Sequence, residues 1–91
     1  MVTSIILINA ERSRINETAE QLAATEGVSE VYSVSGPYDL IAMVRVQSNE
    51  ELSDLVTKKL LKISSSLKTE TLLAFKAYSR HDLEALFSIG T

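Results

Sequence analysis

The chain has 91 residues, a formal net charge of −3, a hydrophobic fraction of 45% and a charged fraction of 23%. That length suits a single domain, residues 1–91, whose small core is poorly covered by its own chain and so favours association. Lysines and arginines are spread along the sequence, which removes the basic face that direct nucleic-acid binding needs. The absence of cysteine removes disulfides, thiolate nucleophiles and cysteine metal sites.

In chain order, Val2 to Ala10 is a short block of apolar and β-branched residues that predicts a strand buried on both faces. Its run Ile5 to Ile8 is too short for a signal-peptide core or a membrane span, so a cytoplasmic protein with no membrane partner is expected. After the charged stretch Glu11 to Arg14, Ile15, Ala19, Leu22 and Ala23 form one face of a helix closed by Gly27 at the C′ position. Val28 to Ser35 reads as a second strand. Gly36-Pro37 turns the chain, and Leu40 to Val46 completes a hairpin.

Ser48 and Glu51 have the spacing of a capping box, in which each side chain would satisfy the other's orphaned backbone donor. The helix they start carries Leu52, Leu55, Val56, Leu60 and Ile63 on one face, and Lys58, Lys59 and Lys62 near its negative end. Asp54 and Lys58 add an i,i+4 pair. Ser64 to Ser66 breaks the pattern, and Leu67 to Tyr78 contains a last strand around Leu72, Leu73, Ala74 and Phe75. The tail, residues 79–91, carries Leu83, Leu86, Phe87 and Ile89 at helical spacing and is expected to reach a neighbouring subunit.

The order βαββαβ predicts an α+β, ferredoxin-like fold with a four-stranded antiparallel sheet and both helices on one face. A monomer of this plan should alternate apolar and polar residues along each strand, yet Ile5 to Ile8, Leu40 to Val44 and Leu72 to Phe75 do not. Leaving a sheet face of that kind in water would waste several kcal/mol at about 25 cal/mol per Å2. A sheet-to-sheet homodimer, a dimeric α+β barrel, is therefore expected; the tail folding back over the same face is the alternative.

For catalysis there is little to use. The one histidine, His81, stands beside Asp82 in the tail, and Glu17, Glu20, Glu50, Glu51 and Asp54 fall on solvated helix faces. No phosphate loop, dinucleotide fingerprint or zinc motif occurs. No catalytic residue, metal site or cofactor is expected. A small barrel enzyme would have only Asn9, Arg45 and His81 as polar candidates, and a protein–protein adaptor would work through the tail or a sheet edge.

Gly36-Pro37-Tyr38-Asp39 stands apart. As a turn, glycine relaxes φ, proline fixes it, and aspartate bonds nearby backbone. As a binding loop, its backbone N–H groups would meet a carboxylate while Asp39 accepts from an ammonium, a combination that suits a free amino acid. Thr69 and Thr71, two residues apart, project to one side and would add hydroxyls.

The hairpin Val31-Tyr32-Ser33-Val34-Ser35-Gly36-Pro37-Tyr38-Asp39-Leu40 strongly resembles the central motif of the Lrp/AsnC regulators, whose effector-binding half is the RAM domain. The similarity extends over nearly the whole chain, through the capped second helix to the T-x-T pattern at Thr69 to Thr71. It implies face-to-face sheet dimers that assemble into octameric or decameric rings, with small amino acids bound between dimers. Gly36, Tyr38 and Asp39 then correspond to the ligand loop, with Thr69 and Thr71 as further contacts. Full-length members begin with a helix-turn-helix domain, whereas this chain starts at the first sensor strand. The resemblance thus implies a stand-alone RAM protein that regulates without touching DNA, through mixed assembly with full-length regulators or through a metabolic protein.

Overall fold

Apolar residues from Val2 onward form strand β1 (Val2–Asn9) in the computed structural model, which describes residues 1–78 and residue 80. A short 3-10 turn, Arg12–Arg14, leads into α1 (Ile15–Ala23), and the hairpin follows as β2 (Val28–Ser33) and β3 (Leu40–Val46). The second helical run has three segments: α2 (Asn49–Asp54), a wider π-helical stretch (Leu55–Lys59) and α3 (Leu60–Ile63). Strand β4 (Lys68–Leu73) closes the sheet, whose order is β2-β3-β1-β4 with every pair antiparallel. This is the expected α+β, ferredoxin-like plan.

Alternation along the strands divides the side chains between two faces. Ser4, Ile6 and Ile8 of β1 and Leu40, Ala42, Val44 and Val46 of β3 turn toward the helices and are buried. With Leu22, Leu55 and Leu60 they form the core, and each fully buried aliphatic side chain contributes roughly 1.5–3 kcal/mol. Ser4 lies inside this layer at no hydrogen-bonding cost, because its hydroxyl donates to the Leu72 carbonyl at 2.7 Å and ties β1 to β4.

The opposite face has no helix over it among the described residues. Register places Tyr32, Ile41 and Leu7 in one cross-strand row and Met43, Ile5 and Leu72 in the next. Tyr32 is 48% exposed and Leu72 43%, while Ile5, Leu7, Ile41 and Met43 are only half-buried by one another. The expectation of apolar groups on both faces therefore holds for β1 and β3. In β4 the leucines also divide between the faces, Leu72 beside Ile5 and Leu73 beside Ser4, but all six residues of this edge strand are exposed. The strand also ends at Leu73, so Ala74 and Phe75 lie beyond it, and Phe75 is 97% exposed.

Several local expectations are corrected by packing. Ala23 points to solvent and Thr18 takes its place in the core, since residues 15, 18, 19 and 22 share one helical face. Gly27 is not the C′ residue of α1, which is capped at Ala24. Its φ of 98° serves a close approach instead: a Cβ there would sit 3.0 Å from Val46 Cγ1 and 3.1 Å from Leu55 Cδ1. In the capping box, Ser48 Oγ accepts from Glu51 N–H at 3.2 Å, but Glu51 Oε2 accepts from the Gln47 N–H at 3.0 Å rather than from Ser48. The Asp54–Lys58 pair forms at 3.4 Å. His81, Asp82 and the tail's Leu83, Leu86, Phe87 and Ile89 lie outside the described residues.

Candidate functional site

Residues 34–39 bridge β2 and β3 as a tied loop. The Val34 N–H donates to the Asp39 carbonyl at 3.1 Å, closing the turn. The Asp39 N–H donates to the Ile8 carbonyl at 3.0 Å, and Asp39 Oδ2 accepts from the Ala10 N–H at 3.0 Å. One residue thus fastens the turn to the end of β1 through both backbone and side chain. Gly36 has a φ of 111° with nothing within 4 Å of a Cβ placed there, so its requirement is torsional rather than steric.

Tyr38 extends from this loop across β1, and its hydroxyl donates to Glu70 Oε2 on β4. Glu70 pairs with Leu7, which puts it on the uncovered face. Thr69 and Thr71 pair with Ile8 and Ile6, so they do project to one side, but that side faces the helices. Gly36, Tyr38 and Asp39 are therefore brought together within the chain, while Thr69 and Thr71 of β4 lie on the other face of the sheet. Thr69 lines a pocket of only about 50 Å3 with Leu60, Leu61 and Leu67, far below the ~300 Å3 at which ligand pockets begin.

The residue between the two threonines, Glu70, was not among the expected site residues. Period-two alternation was the signal available for it: two threonines facing one way put their intervening glutamate on the opposite face. On that same face, Tyr32 donates to Glu30, whose other oxygen lies 4.0 Å from the Arg45 guanidinium.

The hydrogen bond to Glu70 holds the Tyr38 phenol above its ordinary pKa of 10, with desolvation and the Glu70 charge adding in the same direction. A raised folded-state value favours the folded chain while the phenol is neutral, so the benefit is present below pH ~10 and lost as pH rises through the Tyr38 titration. In a Tyr32→Phe, Tyr78→Phe background, Glu70→Gln is expected to lower the midpoint of the Tyr38 ultraviolet titration. An unchanged midpoint would show that the contact does not form in solution.

A larger recess, about 410 Å3, opens at the far end of the sheet between Gly27, Arg45, Glu51, Asp54 and Lys59. Its charged groups already have neighbours. Lys59 Nζ donates to the Glu26 carbonyl at 3.3 Å, Glu51 holds Gln47, and Asp54 holds Lys58. No group of three or more metal-ligating side chains occurs among the described residues, and no described helix is long and apolar enough to cross a membrane.

Residues 3–83 match the Lrp/AsnC ligand binding domain. The crystal structure of TTHA0845 from Thermus thermophilus superposes with a TM-score of 0.80 at 47% identity, covering 88% of this chain and 100% of that one. An uncharacterized HTH-type transcriptional regulator of Pyrococcus horikoshii is 41% identical over 59 residues, which make up 65% of this chain and 39% of the regulator. The chain thus spans well under two thirds of the length of this relative. The fold alone is shared with a feast or famine regulatory protein of Mycobacterium tuberculosis complexed with L-methionine, at a TM-score of 0.73 and 23% identity over 88% of this chain and 54% of that one. With the match running from the first strand past the last, the chain belongs to the Lrp/AsnC ligand-binding domain family.

Proposed function

We propose that the chain is an amino-acid-binding regulatory domain that acts as an assembly and without its own contact to DNA. The observation that carries this is the Gly36–Asp39 turn, fastened to β1 and standing beside an apolar sheet face that a second sheet would cover. Two copies pack these faces together as a dimer, and dimers assemble into an octameric or decameric ring. A small amino acid lies between dimers at the turn, its carboxylate meeting backbone N–H groups there. Thr69 and Thr71 reach that ligand from a neighbouring subunit, since within one chain they face away from Tyr38.

The L-methionine complex of the Mycobacterium tuberculosis protein supports an amino acid as the ligand class. The net charge of −3 supports regulation through a partner, full-length regulators of the same family included, rather than through phosphate contacts. The domain acts in the cytoplasm, whose reducing conditions suit a chain without cysteine. Sedimentation is expected to give a dimer or larger, and thermal shift across the standard amino acids is expected to find at least one that stabilises it, by RT ln(1 + [L]/Kd). A monomer indifferent to every amino acid would overturn the proposal.

A further inference from the structure

An ammonium group bound beside the turn needs a carboxylate with a free acceptor position facing the same space. Asp39 is poorly placed to be that acceptor, because its Oδ2 is taken by the Ala10 N–H and the residue is half-buried against the end of β1. Removing Oδ2 from that bond would take away one of the two ties that hold Asp39 to the end of β1. Glu70 also has one oxygen engaged, by the Tyr38 hydroxyl, but it is exposed rather than half-buried and its bond fastens no backbone. It ends the row through Leu7 on the edge strand β4, at the rim of the face that a second sheet would cover, and it already accepts from Tyr38 of the turn. A carboxylate has about four lone-pair positions over two oxygens, so a single phenol leaves room for a further donor. The same phenol fixes the carboxylate's direction, which lowers the ordering required when a second donor arrives.

Resting on the amino-acid reading above, we propose that Glu70 accepts the ligand's α-ammonium group, with Tyr38 as the residue that positions it, and that Asp39 is the anchor of the turn. The site then selects amines over plain carboxylic acids of the same side chain, because without the ammonium Glu70 faces the ligand as an uncompensated charge. A charge-assisted hydrogen bond at an exposed carboxylate corresponds to roughly tenfold in affinity.

The test uses the full chain and isothermal titration with the amino acid that the panel finds to bind best, alongside its des-amino acid: 4-methylpentanoate for L-leucine, for example, or 4-methylsulfanylbutanoate for L-methionine. Wild type is expected to prefer the amino acid by about tenfold or more. Glu70→Gln, an isosteric change on an exposed edge strand, is expected to remove most of that preference while sedimentation and far-ultraviolet circular dichroism stay as in wild type. Wild type binding both compounds equally would overturn the assignment without any variant. So would a Glu70→Gln protein that keeps the wild-type preference, or one that weakens for both compounds alike. A wild type that binds no amino acid at all would remove the functional reading and this assignment together, an outcome distinct from the other three.

Discussion

Gly27→Ala is expected to cost roughly 2–6 kcal/mol of folding stability, a large loss for one added methyl group. Two penalties combine. An L-residue held at a φ of 98° is strained by about 1–3 kcal/mol. The new Cβ would also meet Val46 Cγ1 at 3.0 Å and Leu55 Cδ1 at 3.1 Å. Neither neighbour moves easily, since Leu55 is fully buried and Val46 is 6% exposed, and overpacking such a core costs about 1–3 kcal/mol. Gly36→Ala supplies the control, because Gly36 has a similar φ of 111° and open space around it. A denaturant melt should show the Gly27 variant losing clearly more than the Gly36 variant. Equal losses would mean that contact with Val46 and Leu55 does not matter.

Ile41→Lys is expected to abolish self-association while leaving the subunit folded. Ile41 lies between Leu7 and Tyr32 in the middle of the uncovered face, so in a face-to-face dimer a lysine there is desolvated and approaches its symmetry mate. In the monomer the same position is only half-buried and leaves the ammonium a route to water. Sedimentation velocity should show a monomer with unchanged far-ultraviolet circular dichroism. A variant that still sediments as the wild-type assembly would place the interface elsewhere.

Element order is legible in this sequence because periodicity survives folding. Apolar blocks mark β1 and β3, a 3.6-residue stripe marks Leu52 to Ile63, and Ser48 announces a helix start. Leu22 and Leu55, which the helical stripes place on the apolar faces, are both fully buried. What periodicity does not carry is distance between elements. Gly27 reads as a helix stop in a one-dimensional pattern, but its conformation answers to Val46 and Leu55, which are 19 and 28 residues further along. The π-helical stretch at Leu55–Lys59 is likewise invisible, since its residues keep the composition of an ordinary helix.

The candidate site divides in the same way. Gly36, Tyr38 and Asp39 are neighbours in sequence and so stay together in space. Thr69 and Thr71 come to the turn only through sheet register, and register sends them to the helix side while delivering Glu70 to Tyr38. A one-residue offset decides which chemistry faces the Gly36–Asp39 turn.

The double fastening of Asp39 to Ile8 and Ala10 also bears on how strongly a small molecule could be held. Fixing one residue's backbone costs about 1–2 kcal/mol, so a slack loop of the same length would have to be ordered by its ligand, at the expense of most of what an amino acid's few contacts can supply. Here that ordering is completed when β1 and β3 pair. The loop is a preformed surface, so under the proposed function an amino acid would bind it without first having to order it.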